Sequence, residues 1–352
     1  MKSLLLLILM MGLISYSQSP GNVSGNSLWL EPESFNNVAF EQIKDIGKIK
    51  VLYFNFNPVL DPLNTKKSTF NNLVAESYSL FTVFKSDTDD KLPIITILKG
   101  NHKVSVDNKA VVSNFETPYE KSGARKGMLL NFLTSNNSKG RKKNYIKIED
   151  FYKGDKDGTQ QLMEVIYYPR ILKPIERQRI ETYLSLKYGI SRIGEADYLN
   201  SGNDTIWNYK KNMDFNSRVT GIGRDDKLSL YQKQSGNAEK DGLYIGLGII
   251  DTTNTHNQGH FEDKNFIIWG DNGKSTIFKK DKDDRAIKVI SRIWKIQLTA
   301  ISPRDSVITQ LRISKKEMGF EPSQKDEVFW IALNGQANTK FDYTSARYIK
   351  QS

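Results

Sequence analysis

The hydrophobic positions of this chain fall mainly into short runs separated by turn-forming residues. Residues 77–84 (SYSLFTVF) and 93–98 (PIITIL) are rich in β-branched and aromatic side chains and are apolar on both faces. Such runs predict strands buried inside a sandwich of sheets. Further short runs predict strands at residues 103–106, 110–112, 128–133, 145–148 and 162–168. Because no helical pattern separates these strands, the sequence favours an antiparallel β-sandwich.

One segment, residues 174–188, has a helical pattern instead. Pro174 suits the first helical position, and Gly189 suits the position after the last one. Its apolar residues recur at the spacing of one helix face: Ile180, Tyr183, Leu184 and Tyr188. Its charged residues predict a solvated opposite face: Glu176, Arg177, Arg179 and Glu181. We expect this helix to lie on a sheet and to close the first domain.

After residue 191 the sequence is richer in Gly, Asn and Asp, with scattered strands at residues 242–250 and 265–270. The charged stretch at 279–285 (KKDKDDR) predicts a solvated loop or linker, and with it a sub-boundary. Beyond that stretch, apolar or alternating runs at 294–299, 307–313 and 328–333 predict a further three strands. Three strands with one apolar face are enough for a small sheet.

The first residues predict export. Lys2 is followed by an apolar run at 4–14 and then by Ser15-Tyr16-Ser17, the pattern of a signal peptide cleaved after Ser17. The run is shorter than the roughly 20 residues of a membrane span, so we expect no transmembrane segment. The alternative interpretation is a buried N-terminal strand. The sequence thus predicts a signal peptide at 1–17 and a protein that is secreted or held at the cell surface.

The amino-acid composition limits the reactions and the partners that are possible for this chain. The 352 residues include no Cys, which excludes thiolate nucleophiles, zinc-thiolate sites, iron–sulfur clusters and disulfides. Basic residues outnumber acidic ones by 51 to 40, giving a net charge of +11. They are dispersed as doublets without interleaved aromatics, so we expect no nucleic-acid partner. Attraction to acidic polysaccharide or to an anionic cell surface would follow from this charge, although solubility alone also explains it.

The stretch at 164–190, EVIYYPRILKPIERQRIETYLSLKYGI, resembles the closing strand and following helix of concanavalin A-like (laminin-G-like) sandwich domains in secreted Bacteroidetes proteins. Pro169 stands where those domains usually have Asn. Residues 20–23 (PGNV) and 28–30 (LWL) are similar to the opening of the same domain. Three further stretches resemble the domain of unknown function that commonly follows this sandwich: 221–234, 266–273 and 292–297. The resemblance implies a sandwich at 18–190, with its C-terminal helix at 174–188, and a second β-rich domain at 195–352.

No catalytic motif stands out. Concanavalin A-like sandwiches include glycoside hydrolases, which need two carboxylates within about 5 to 9.5 Å of each other. The nearest match is Glu195-Ala196-Asp197, where Asn200 replaces a third acid. The sequence lacks G-x-S-x-G, H-E-x-x-H and P-loop patterns, and the glycines of residues 246–248 do not complete a dinucleotide loop. We expect no enzymatic activity, with a glycoside hydrolase as the alternative.

Two weak metal patterns are present. Asp155 and Asp157 in GDKDG place two carboxylates in a tight turn, as calcium loops do, but Ile166 stands where a calcium hand would have Glu. An ordinary Asp-Gly turn is the alternative. His256 and His260 are four residues apart in a stretch that looks like a loop. Calcium is therefore the one cofactor that the sequence suggests.

Ligand candidates lie in the second half. In the motif GIGRDD at 221–226, Arg224 could act as a forked donor to a carboxylate or to sugar hydroxyls, with Asp225 beside it. The alternative is structural: the glycines allow positive φ and Arg224 pairs internally with Asp225, Asp226 or Asp271. Trp207 and Tyr209 could stack on sugar rings, although single Trp residues are also common in cores.

These patterns together predict an all-β protein: a concanavalin A-like β-sandwich (jelly roll) with a capping helix, then a β-rich module that ends in a small immunoglobulin-like sheet. The expected function is non-catalytic recognition or adhesion, with a glycan or another cell-surface polymer as partner. A polysaccharide hydrolase and a structural spacer of the cell surface are the alternatives.

Overall fold

The structure, a computed structural model, describes residues 19–32, 52–60, 69–88, 90–114, 119–122, 128–135, 144–149, 160–280, 288–300, 307–319, 330–333 and 347–350. Apart from one α-helix and short 3-10 turns, the regular elements of these ranges are strands in antiparallel sheets. The expected all-β class is confirmed. The predicted signal peptide lies outside the described residues. None of the helices in these ranges combines the length and apolarity that a membrane crossing requires.

Two five-stranded sheets form the first half of the molecule. With strands numbered along the chain, the first sheet has the order β1-β12-β5-β10-β9: Leu28–Leu30, Gln160–Tyr168, Tyr78–Ser86, Met128–Ser135 and Tyr119–Ser122. The second has the order β4-β11-β6-β7-β8: Thr69–Asn71, Asn144–Ile148, Pro93–Lys99, His102–Asp107 and Val111–Ser113. The predicted strands are therefore present, and their pairing is antiparallel throughout.

The two sheets enclose a shared apolar core. Leu80 and Phe84 of β5 pack in one cluster with Ile95 of β6 and Val104 of β7. Strand β12 is buried on both faces because its alternate side chains enter two different cores. Val165 and Tyr167 point into the core between the sheets, whereas Met163, Ile166 and Tyr168 point to the opposite face. This is why the strand is apolar on both faces from Leu162 onward, apart from Glu164.

The helix α1, Pro174–Tyr188, covers that opposite face. Its ends are those that the sequence predicts: Pro174 is the first helical residue, and Gly189 ends the helix with a left-handed φ of 63°. The predicted apolar stripe is buried in the same core as Tyr168. The expectation of a solvated opposite face is wrong at Glu181, whose side chain is fully buried. The reason is that the second half of the chain packs on that side of α1 and supplies Arg192 as an ion-pair partner.

The second half contains two further sheets that face each other across a separate core. One has the order β16-β15-β19-β22: Leu230–Gln232, Ser217–Asp225, Asn265–Asp271 and Trp294–Thr299. The other has the order β17-β18-β23: Gln234–Gly236, Leu243–Leu247 and Thr309–Ile313. Ile222, Ile245, Phe261 and Trp269 lie in the core between them.

This pairing corrects the expected immunoglobulin-like sheet and the sub-boundary at 279–285. Strand β22 hydrogen-bonds to β19, and β23 hydrogen-bonds to β18, so strands on both sides of residue 285 share sheets. The remaining strands form two-stranded ladders. The pairs are β2 (Tyr53–Phe54) with β3 (Asn57–Pro58), β13 (Tyr198–Leu199) with β14 (Thr205–Trp207), β20 (Phe278–Lys280) with β21 (Lys288–Ile290), and β24 (Trp330–Leu333) with β25 (Arg347–Lys350).

Candidate functional site

The guanidinium of Arg224 is engaged inside the protein. Its Nε and Nη2 atoms donate to the two carboxylate oxygens of Asp226 at 2.8 and 2.9 Å, and Nη1 donates to the carbonyl of Phe261 at 3.1 Å. The guanidinium also lies 5.2 Å from the ring centroid of Tyr231. This is the internal pairing of the structural alternative, with Asp226 as the partner. The fork that a sugar or carboxylate would need is therefore occupied.

Asp225 has a structural role as well. Its carboxylate is fully buried and accepts hydrogen bonds from the backbone N–H of Leu228, at 3.1 Å, and of Ser201, at 2.8 Å. The first bond caps the short 3-10 turn that follows β15, and the second fixes the loop after β13. A ligand would not reach this carboxylate.

The glycines of the same motif serve close packing rather than positive φ. Gly221 and Gly223 lie inside β15, and neither has a left-handed φ. A Cβ at Gly221 would come within 2.7 Å of the carbonyl oxygen of Ile267, and one at Gly223 would overlap the ring of Phe266. The expectation that these glycines supply positive φ is therefore wrong. They let β15 approach the neighbouring side chains of β19.

Trp207 does not offer a stacking surface. Its ring is fully buried in the core around α1, and its Nε1 atom donates to Asn216 at 2.9 Å. The core alternative is the one that the structure shows. Tyr209 is only partly buried, in the turn that follows β14. Its backbone N–H donates to Asp197 at 2.7 Å, and its carbonyl accepts from Asn216 at 2.7 Å.

A polar cavity lies next to these two aromatic residues. It is open to solvent and has a volume of about 450 Å³. Its lining comes from the β13–β14 hairpin, from the turn after β14 and from strand β22: Thr205, Asn208, Lys211, Asn212, Lys295 and Gln297. All six side chains carry hydrogen-bonding groups, and none is a carboxylate. The cavity is therefore suited to a hydroxyl-rich or anionic ligand rather than to an apolar one.

The wall formed by β22 follows from strand alternation. Lys295 and Gln297 line the cavity, whereas Ile296 and Leu298 point to the other face of the sheet. Gln297 is held in place because its Nε2 atom donates to the carbonyl of Ile206 at 2.9 Å. The ammonium of Lys295 lies 6.0 Å from the centroid of the Phe215 ring. Gln297 is thus anchored to the structure that surrounds the cavity, and the Lys295 ammonium lies near an aromatic ring.

The carboxylate of Asp197 holds the other wall of the cavity, the β13–β14 hairpin and the turn after it, in place. Its carboxylate accepts from the backbone N–H of Tyr209 at 2.7 Å, from the amide of Asn208 at 3.1 Å and from the hydroxyl of Thr205 at 3.4 Å. Asn208 in turn accepts from the backbone N–H of Lys211 at 2.7 Å. The carboxylate that came nearest to a hydrolase pattern thus organises a turn.

Sequence reasoning missed this cavity. Trp207 and Tyr209 drew attention to the correct segment, but the polar residues around them looked like ordinary turn residues. The other wall comes from a distant part of the chain, since Asn212 and Gln297 are 85 residues apart. The sequence contained one signal of this wall: in β22, the polar side chains of Lys295 and Gln297 alternate with apolar ones.

The metal candidates gain no support from the described residues. Asp155 and Asp157 lie outside them. His256 lies beside Thr252 at 3.2 Å, and His260 lies beside Tyr231 and Glu262, each at 3.3 Å. Within the described ranges, no three His, Cys, Asp or Glu side chains come together in a way that could hold a metal ion.

One carboxyl group away from the cavity has a strongly shifted pKa. Burial raises the pKa of Asp241 to about 6 from an ordinary value of 3.8. Hydrogen bonds from the indole of Trp294 and from the backbone N–H of Leu243 act in the opposite direction, and the charge of Asp271 adds to the increase. Asp241 is buried in the second half of the chain. Its protonation should therefore make the stability of the folded protein depend on pH.

Residues 176–352 match the model of a family described as a domain of unknown function, DUF8202. The match covers half of the chain, which therefore belongs to the DUF8202 family. The domain of unknown function expected in the second half is thus confirmed, and the matched region begins inside α1 rather than after it. No curated protein and no solved structure matches the chain.

Proposed function

We propose that this chain is a secreted, non-catalytic recognition or adhesion protein that binds glycan at the cell surface or in the extracellular matrix. The observation that carries the proposal is the lining of the cavity. Asn208 has an amide N–H and an oxygen lone pair beyond those that it uses within the protein, Gln297 has an oxygen lone pair, and Thr205 brings a hydroxyl. Sugar hydroxyls need partners of both kinds. A volume of about 450 Å³ lies within the usual range for a small-molecule site.

Two features of the sequence support the same class. The N-terminal apolar run has the pattern of a signal peptide, which would bring the protein into contact with extracellular polymers. The stretch at 164–190 resembles concanavalin A-like domains, and the first half is built from two facing five-stranded sheets. At this cavity a binding role is favoured over hydrolysis, because the lining that the described residues provide has no carboxylate to act as general acid or nucleophile.

A glycan array tests the proposal, with the chain from residue 18 to 352 applied in the presence and in the absence of calcium. We expect binding that is lost when Thr205→Trp fills the cavity. Thr205 is exposed at the start of β14, so the larger ring can enter the cavity without disturbing a core. The matched control is Val112→Trp, because Val112 is 45% exposed on β8, in the other half of the molecule.

Binding that Thr205→Trp abolishes and Val112→Trp leaves unchanged supports the proposal. No glycan signal with or without calcium would contradict it and favour a structural spacer. Shortening of a bound oligosaccharide on incubation would contradict the non-catalytic part and favour a glycoside hydrolase.

A further inference from the structure

We propose that the cavity selects saccharides that carry an anionic group, a carboxylate or a sulfate ester, and that Lys211 and Lys295 hold this group. The inference rests on the proposed function and specifies its ligand. The two lysines are the ionised side chains of the cavity lining, and both are cationic. Within the described part of the chain, neither ammonium forms an ion pair with a carboxylate. The nearby Asp197 already accepts three hydrogen bonds behind the wall.

The two cations approach the cavity from separate and fixed parts of the fold. Lys211 belongs to the turn after β14, where its backbone N–H is bound by Asn208. Lys295 belongs to β22, where it is paired with Gly270 of the neighbouring strand. Two like charges that line one cavity repel each other, and an anionic ligand would offset this repulsion by an attractive contact with each of them. The unbound protein is thus arranged to favour a negative group.

The rest of the lining explains why the anion should be part of a sugar. Asn212 is almost completely buried, and its amide lies 3.5 Å from the amide oxygen of Gln297. Asn212 therefore supports Gln297, whereas Gln297, Asn208 and Thr205 present groups that suit sugar hydroxyls beside the cations. A bare inorganic anion would use the lysines and leave the amides to water. A uronic acid or a sulfated sugar would use both.

The test compares three oligosaccharides of equal length by calorimetry: an oligogalacturonate, a sulfated galactan and a neutral galactan. We expect one of the two anionic ligands, or both, to bind at least 10-fold more tightly than the neutral one. Lys211→Gln and Lys295→Gln should each weaken anionic binding about 10-fold, the effect typical of one partly exposed charged hydrogen bond. Lys295→Arg should retain most of the affinity.

The matched control is Lys210→Gln, which removes the same charge from the exposed residue next to Lys211, outside the cavity lining. It should change the affinity less than twofold. Equal affinity for neutral and anionic ligands would overturn the inference while leaving the proposed function in place. The inference would also be overturned if Lys210→Gln weakened binding as much as Lys211→Gln does. The attraction would then come from the overall positive charge and not from the cavity. Failure of all three ligands and of the glycan array would contradict both proposals.

Discussion

The ammonium of Lys187, in the last turn of α1, lies 3.0 Å from the carboxylate of Glu164 in β12. Burial lowers the pKa of Lys187, but the negative charges of Glu164 and Glu31 outweigh that effect, and the pKa is raised. Glu164 also accepts hydrogen bonds from Trp29 at 2.7 Å, from Tyr183 at 2.9 Å and from Tyr188 at 2.7 Å. One buried carboxylate therefore joins β1, β12 and the helix.

We predict that Glu164→Gln lowers the free energy of unfolding by about 3 kcal/mol, because Lys187 keeps only Glu31 as an ion-pair partner and three buried hydrogen bonds lose their charged acceptor. Urea unfolding followed by fluorescence measures the change. The control is Asp87→Asn, which breaks the more exposed ion pair with Lys85 and should cost less than about 1 kcal/mol. Similar losses for both variants would show that the buried carboxylate has no special role.

Gly223→Ala should destabilise the protein by about 1–3 kcal/mol, since the added methyl group would overlap the ring of Phe266 inside a packed sheet. The matched control is Gly202→Ala. The nearest atom there is the carboxylate end of the Asp204 side chain, at 3.1 Å, and it can move away. Thermal unfolding of both variants checks the prediction. It fails if the two variants have the same melting temperature.

How far the sequence determines this structure differs from one element to another. The ends of α1 were predictable because Pro174 and Gly189 act locally, and β5 and β6 were predictable from their continuous apolar runs. The burial of Glu181 was not predictable, because it depends on Arg192, beyond the end of the helix, as well as on Arg177 within it. Local pattern identifies elements, but it does not reveal which charged side chain lies between two of them.

The same limit applies to the cavity. Asn208 and Lys211 belong to a turn that sequence inspection finds, yet Lys295 and Gln297 reach it only through the pairing of β22 with β19. Arg224 shows the opposite case. The sequence offered Asp225, Asp226 and Asp271 as partners, and only geometry selects Asp226.

The raised pKa of Asp241 predicts a pH-dependent stability. With a folded pKa of about 6 against an ordinary 3.8, the folded state binds this proton more tightly than the unfolded state does. The contribution of Asp241 is therefore fully present below about pH 4 and is lost as the pH rises through 6. A shift of about two pKa units corresponds to about 3 kcal/mol.

Unfolding free energies of the wild type and of Asp241→Asn, measured from pH 4 to 7.5, test this. The difference, wild type minus variant, should decrease with rising pH by up to about 3 kcal/mol. Exposed Asp90→Asn serves as the control and should not show that trend. A difference that stays constant across the range would contradict the prediction.

A fragment comprising only the matched region, residues 176–352, should not fold into a cooperative unit. It would expose the side of α1 that packs against Met163, Ile166 and Tyr168 of β12. It would also leave the ammonium of Lys187 without Glu164. We expect strong binding of a hydrophobic dye and a broad thermal transition, compared with weak binding and a sharp transition for residues 18–352. A sharp transition of the fragment alone would show that the helix does not depend on the sandwich.

Because one wall of the cavity is the strand β22, the polarity of that wall depends on how the strand is aligned in its sheet. Since Lys295 and Gln297 alternate with Ile296 and Leu298, the polarity of one wall depends on the position of a single strand in its sheet. Shifting β22 by one residue would replace ammonium and amide groups with two apolar side chains. Under the proposed function, single deletions in this strand should therefore impair ligand selection far more than single substitutions do, because a deletion changes every side chain of this wall.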